Sequence, residues 1–178
     1  YARQFNITKL KYVVNGGATG QESIYNGLME IRKHHSDDDV VLVHDGNRPM
    51  VGQDVITDSL VKYAQYGSAV AAIPCTEVVF VSDTGTESRK TIPREELWRT
   101  QTPHTYKIGE LCWAHEEAKK RGLTGMAASC SLMAALGKTV YFSKGSEKNL
   151  KITTVEDIDI FKALLSAKRD EWIKTEGT

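Results

Sequence analysis

Short apolar runs alternate with longer stretches of helical periodicity along nearly the whole chain, the pattern of βαβ units on a largely parallel sheet and hence of an α/β fold. Residues 12–15 make a first strand-like run that ends at Gly16-Gly17. Beyond it, Thr19-Gly-Gln-Glu22 has the spacing of a capping box, and Ile24, Leu28 and Ile31 share one helix face. Val40–Val43 is a continuous apolar run suited to a buried parallel strand. It stops at His44-Asp-Gly-Asn-Arg-Pro49, and helical periodicity resumes over Gln53–Tyr66. Ala69–Pro74 reads as the next strand. Across residues 76–97 the pattern changes: Val78 to Val81 alternate poorly, Ser82-Asp-Thr-Gly85 has turn composition, and charges dominate as far as Glu96. This segment is expected to be a β-hairpin arm projecting from the sheet. A strand over 99–102 leads to helices over 108–121 and 127–136, then to strands over 139–143 and 151–153. Thr153-x-x-Glu156 is placed to cap a final helix whose apolar face carries Ile158, Phe161 and Leu165.

With 178 residues, 40% of them hydrophobic, the chain can fill one sizeable core, so residues 1–178 are expected to form a single domain with the arm at about 76–97. The 23 Lys+Arg balance 23 Asp+Glu, and no global field would hold the chain on nucleic acid or an anionic membrane. Any phosphate it binds must therefore be met by a local site. Cys75, Cys112 and Cys130 are odd in number and widely spaced, which argues against a disulfide framework or a zinc site and for buried thiols in a reducing cytoplasm. No apolar run approaches the ~18 residues of a membrane span. The expected location is cytoplasmic.

Several clusters carry chemistry. The loop after Val43 sets Asp45 and Arg48 just past the carboxyl end of a strand, the edge of an open α/β sheet where ligands bind. Asp45 there can orient a ligand hydroxyl or join in holding a divalent cation, and the Arg48 fork matches a phosphate. Equally, the two can pair as a surface ion pair in a turn. Gly16-Gly17 before a capped helix can let a ligand approach the backbone, or can be a plain strand-to-helix connection. Lys151, beside Thr153 and Thr154, can meet charge on a transferring phosphoryl group or sit solvated on a strand edge. Ser129, Cys130 and Ser131 have no histidine near them in sequence and fit no triad signature, so a hydrolase is rejected. His44 reads as a packed strand-end residue. Trp98, Trp113 and Trp172 are scattered, as packing residues are.

In order along the chain, four segments, Gly16-Gly-x-x-x-Gln-Glu-Ser23, Val43-His-Asp-Gly-Asn-Arg-Pro49, Leu97-Trp-Arg-Thr-Gln-Thr-Pro103 and Asn149-Leu-Lys-Ile-Thr-Thr-x-Glu-Asp157, resemble the methylerythritol-phosphate and ribitol-phosphate cytidylyltransferases. The resemblance implies a glycosyltransferase-A-like, Rossmann-like nucleotidyltransferase fold, dependence on Mg²⁺, and a homodimer whose protruding arms help complete each partner's site. It implies that CTP and a small polyol phosphate are the substrates. By the same resemblance Gly16, Gly17, Ser23 and Gly46 lie on the nucleotide side. Asp45 and Arg48 hold the polyol phosphate, with Asp45 also a candidate metal ligand. Arg94 on the arm reaches the acceptor phosphate, Thr102 lines the same pocket, and Lys151 stabilises the transferring phosphate.

The implied reaction is in-line attack by the acceptor's phosphate oxygen on the α-phosphorus of CTP, with pyrophosphate leaving. An acceptor that is already ionised needs only positioning and charge stabilisation, which suits Arg, Lys, Asp and Mg²⁺ with no activated nucleophile. The sequence departs from the family in four places, one of them Ala18 and Gly20 after the Gly-Gly turn, where the family often has Asp or Thr and Arg. The family's Gly-rich nucleotide-binding loop is not found in it, and the chain is expected to start about where a third strand should be. Val78 falls where methylerythritol-phosphate enzymes carry a threonine, and Ala127-Ala-Ser129 replaces an acidic run. These last changes lie at acceptor-side positions. A related nucleotidyltransferase for another sugar phosphate and a non-catalytic dimerising module are the alternative readings.

Overall fold

The computed structural model describes residues 1–175. In chain order its elements are α1 (Gly20–Arg32), β1 (Val40–Val43), α2 (Gln53–Tyr66), β2 (Ala69–Pro74), β3 (Val79–Val81), β4 (Lys90–Ile92), β5 (Trp98–Lys107), α3 (Ile108–Lys120), α4 (Ser129–Ala135), β6 (Phe142–Lys144) and α5 (Val155–Thr175). The chain divides into two compact units. The first comprises Tyr1–Val43 and Thr105–Val140, and the second comprises His44–His104 and the chain from Tyr141 onward.

In the first unit, α1 starts where the capping residues require. Thr19 Oγ1 accepts the Glu22 N–H at 3.1 Å, while the Glu22 carboxylate reaches back one residue further than the usual box, to the Ala18 N–H at 2.7 Å. α1 packs against α3. Leu28 from α1 is buried, as are Ile108, Leu111, Cys112, Ala114 and Ala118 from α3. The turn into α3 is tied to the loop ahead of β1 by Ile108 N–H to Asp39 C=O and Gly109 N–H to Asp37 C=O, each 2.9 Å. Residues 12–15, expected as a strand, are not one. Val13 is 82% exposed, and the segment has neither the burial nor the ladder that would hold an extended run in a sheet.

In the second unit β2 lies between β5 and β6, and β2 and β6 run parallel with Val70 opposite Phe142 and Ala72 opposite Lys144. The buried run Ala69 to Ile73 is covered by α2, whose Val55 is fully buried. β3 and β4, within the 76–97 segment, form an antiparallel ribbon of their own, Val79 opposite Ile92 and Val81 opposite Lys90. β5 is longer than the 99–102 strand expected: it continues through Pro103, because Gln101 to Tyr106 are all buried and the segment gains more from burial than it loses at one missing N–H donor. β6 occupies 142–144 rather than 139–143.

Two expectations near Lys151 are corrected. Residues 151–153 are coil, joined to the 44–49 loop by Ile152 N–H to Asn47 C=O (2.8 Å) and Asn47 Nδ2 to Ile152 C=O (2.8 Å) instead of by a ladder. The cap of α5 sits one residue later than Thr153/Glu156: Thr154 Oγ1 accepts the Asp157 N–H, and Asp157 Oδ2 accepts the Thr153 and Thr154 N–H groups at 2.8 Å each. Glu156 is left outside this cap. Ile158 and Leu165 on the expected apolar face of α5 are exposed in the single chain, with Phe161 half-buried. The side chain of Trp172 lies outside the described residues. All three cysteines are buried and free.

His104 on β5 is 2% exposed, and its burial pushes the imidazole from its ordinary 6.5 down to about 4. The unfolded chain therefore binds a proton between those two values that the folded chain does not. The contribution to stability is complete above pH 6.5 and is lost as the pH falls toward 4. Unfolding free energies from urea titrations at pH 7 and pH 5 should differ less in His104→Leu than in the parent, whatever the variant costs at pH 7. An unchanged pH difference would show that His104 does not titrate as its burial requires.

Candidate active site

The loop that leaves β1 is organised by one hydroxyl. Thr102 Oγ1 accepts the Asp45 N–H at 3.0 Å and lies 2.9 Å from His44 Nδ1, while His44 Nε2 lies 3.0 Å from the Arg48 carbonyl. A carbonyl can only accept, so Nε2 carries a proton and donates to it. His44, expected as a packed strand-end residue, is instead exposed, and it is held by its two ring nitrogens, which shape the turn. The consequence is a fixed direction for Asp45 and Arg48.

Arg48 Nε donates to Asp45 Oδ2 at 3.2 Å, and Lys151 Nζ reaches the same oxygen at 3.2 Å. Arg48 also donates through an η nitrogen to the Asn149 carbonyl at 2.8 Å. Its side chain is 11% exposed, whereas that of Lys151 is 45% exposed. Partial burial would by itself push the Asp45 carboxyl up, but hydrogen bonds and charge from Lys151 and then Arg48 outweigh it and hold the carboxyl below the usual range. The ion pair of a plain turn therefore exists. It is not the whole arrangement: one carboxylate faces two cations and leaves a net positive charge, which suits an incoming phosphate.

Behind these charges lies a buried pair of amides. Gln101 Oε1 accepts the Ser146 N–H at 3.0 Å, and Gln101 Nε2 donates to the Ser146 carbonyl at 2.9 Å. Asn149 is fully buried, and its Nδ2 donates to the Thr102 carbonyl at 2.8 Å and to Gln101 Oε1 at 3.4 Å. Gly145 lies so close that a Cβ there would stand 2.7 Å from the Ala72 carbonyl and 2.8 Å from Gln101 Oε1, so only glycine fits. Asn149 and Gln101 both fall inside recognisable segments, yet sequence reasoning assigned them no role. For Gln101, on β5, a polar side chain in a buried strand segment was the available signal, whereas Asn149 lies in a bend outside any strand.

The Gly16-Gly17 turn and Ser23 belong to the first unit. Ser23 Oγ accepts the Gly17 N–H at 3.0 Å and donates to the Thr19 carbonyl at 2.9 Å, bracing the turn on α1. A side chain on Gly17 would collide with Glu22, so the close approach of turn and helix requires glycine there. Gly46 is exposed in the loop of the second unit. Arg94, in the short 3-10 turn Arg94–Glu96, is exposed and pairs with Glu95 at 3.4 Å, and no hydrogen bond joins it to the Asp45 cluster among the described residues. A cavity of about 500 Å³ in the first unit is lined by Gln21, Tyr25, His115 and Lys119 among others, and by none of the Asp45 cluster. No group of three or more His, Cys, Asp or Glu placed to hold a metal ion occurs among the described residues, so Asp45 offers a single carboxylate.

Comparison with known proteins bears on this geometry. Residues 1–167 match the family described as IspD, 2-C-methyl-D-erythritol 4-phosphate cytidylyltransferase. A ribitol-5-phosphate cytidylyltransferase of Lacticaseibacillus paracasei is 40% identical over 170 residues, which cover 94% of this chain and 73% of the relative. A 2-C-methyl-D-erythritol 4-phosphate cytidylyltransferase of Shouchella clausii is 36% identical over 168 residues, covering 94% and 71%. Among solved structures, the 2-C-methyl-D-erythritol 4-phosphate cytidylyltransferase from Thermus thermophilus superposes with a TM-score of 0.74 at 27% identity, covering 88% of this chain and 77% of that one. The enzyme of that name from Francisella tularensis gives 0.73 at 28% identity, covering 88% and 75%.

Proposed function

The chain belongs to the IspD family of cytidylyltransferases, and on that premise we propose that it transfers CMP from CTP to a polyol phosphate whose phosphate is received by Arg48 and Lys151 beside Asp45. The observation that carries this reading is the pair of cations on one carboxylate, 3.2 Å from each. Arg48, largely buried and aimed by the Asn149 carbonyl, is a fixed fork for the acceptor phosphate. Lys151, half exposed on a coil segment, can leave Asp45 and follow charge onto the transferring phosphoryl group. Asp45 keeps the two cations together and, being ionised, also accepts from acceptor hydroxyls. Thr102 lines the same pocket.

The acceptor's phosphate oxygen attacks the α-phosphorus of CTP in line as the bond to pyrophosphate breaks, and no proton need be abstracted from an ionised phosphate. Mg²⁺, when bound, supplies neutralisation of the triphosphate, and a lone carboxylate at Asp45 fits an ion that takes most of its ligands from phosphates and water. Gly16, Gly17, Ser23 and Gly46 are assigned to the cytidine nucleotide. The family relationship supports this assignment, and the rigid Gly17–Ser23–Thr19 bracing suits a surface that a base must approach closely. A reducing, cytoplasmic setting suits three buried free cysteines.

For the acceptor we favour ribitol phosphate. The 40% identity to a ribitol-5-phosphate enzyme and a valine at position 78, which offers no hydrogen bond, both support it. Steady-state kinetics of pyrophosphate release test the whole reading. Arg48→Ala should raise the KM for ribitol 5-phosphate while leaving that for CTP nearly unchanged, and Asp45→Asn should chiefly lower kcat. Lys151→Ala should lower kcat by ~10²-fold, as loss of a preorganised donor does. Folded Asp45→Asn and Lys151→Ala variants with parental kcat would remove the assignment, and a higher kcat/KM for methylerythritol phosphate would reverse the choice of acceptor.

We further assign the arm to a homodimer in which Arg94 serves the acceptor phosphate of the partner subunit's site. A two-stranded ribbon of three-residue strands is marginal by itself, and Val78 and Phe80 on it are exposed. Sedimentation equilibrium should give twice the chain mass at assay concentrations. A fully active monomer would contradict this assignment.

A further inference from the structure

Asn149 presents an unusual combination of contacts. It is fully buried, its carboxamide nitrogen binds the Thr102 carbonyl and Gln101 Oε1, its backbone carbonyl receives Arg48, and Lys151 follows two residues later. Its Oδ1 is buried without a partner, and turning the amide over would set that oxygen against the Thr102 carbonyl, so the donor orientation is the one the surroundings accept. A residue needed only to fill space would do so better as a leucine of similar volume, with no orphaned oxygen. What an amide adds is a donor that pins the 145–152 segment to β5 at one register. That segment delivers both the carbonyl that aims Arg48 and the ammonium of Lys151.

We propose that Asn149 is a positioning residue for the acceptor site: its side-chain donor to Thr102 sets where its own carbonyl stands, and thereby sets the Arg48 fork at the distance and angle at which a phosphate is met. The inference rests on the acceptor-phosphate reading above. Asn149 touches no substrate. It acts through Arg48, and Gln101 is its brace, holding Ser146 at both backbone groups so that the segment cannot slide along the strand.

The test is steady-state kinetics of Asn149→Ala, Arg48→Ala and the double variant in the full chain, with ribitol 5-phosphate and CTP varied separately. Asn149→Ala should raise the KM for ribitol 5-phosphate by about tenfold, the worth of one hydrogen bond to a charged group, with the KM for CTP within about twofold. Added to Arg48→Ala, it should change the KM for ribitol 5-phosphate by less than about twofold, because a residue acting through Arg48 has nothing left to act on. A role in stability alone would lower the melting temperature and leave both KM values at parental levels, and that result overturns the proposal. Multiplicative effects in the double variant overturn it as well. If Arg48→Ala by itself leaves the KM for ribitol 5-phosphate unchanged, the acceptor-phosphate reading has failed, and with it the proposal.

Should Asn149→Ala not fold, Asn149→Asp keeps the shape. Its carboxylate would face the Thr102 carbonyl and Gln101 Oε1, but when protonated it regains one O–H donor. At pH 8 the KM of Asn149→Asp for ribitol 5-phosphate should exceed the parent's by about tenfold, with the KM for CTP within about twofold. A KM for ribitol 5-phosphate equal to the parent's overturns the proposal.

Discussion

The carboxylate of Asp45 draws together Arg48, three residues on in the same loop, and Lys151, from a segment far along the chain, with both cations meeting the same oxygen. Everything else at the site serves to make that meeting possible. An isolated exposed pair of this kind would contribute little, because solvent screens it and two long side chains must be ordered to form it. Here the ordering is done in advance by hydrogen bonds other than those of the ion pair. The Thr102 hydroxyl and the two nitrogens of His44 set the loop, and the Asn149 carbonyl sets the arginine.

A site held this way suits a reaction with no proton to abstract and no covalent intermediate. Charge moves from the α-phosphate toward pyrophosphate, and the protein's task is to have cations waiting in a fixed place. Under the proposed function, the largely buried Arg48 would stay fixed in the ground state, and the half-exposed Lys151 would have room to move with the charge.

Much of this was legible in the sequence where the information is local. β1, α2 and β2 begin and end at the expected residues, because periodicity, a Gly67 stop and Pro74 all act within a few positions. Pairing is not local. Residues 12–15 and 151–153 have strand-like composition, yet a strand needs a partner that composition does not specify, and both are coil. The α5 cap slipped by one because Thr153 and Thr154 are each followed three residues later by an acid, and only the surrounding geometry chooses between them. Asp45 and Arg48 stood out by their place past a strand. Asn149 did not: its contact with Arg48 spans 101 positions, and its importance lies in what its amide touches, not in its residue type.

Under the proposed function, Arg48 and Lys151 form one phosphate-receiving unit on Asp45. The most direct measurement is nitrogen-15 NMR of the arginine Nε–H and lysine ammonium signals during titration of the full chain with ribitol 5-phosphate. Both signals should shift along one isotherm with a single Kd, and in Asp45→Asn the two should lose that common dependence. Signals that stay put, or that titrate with separate Kd values in the parent protein, would contradict the account.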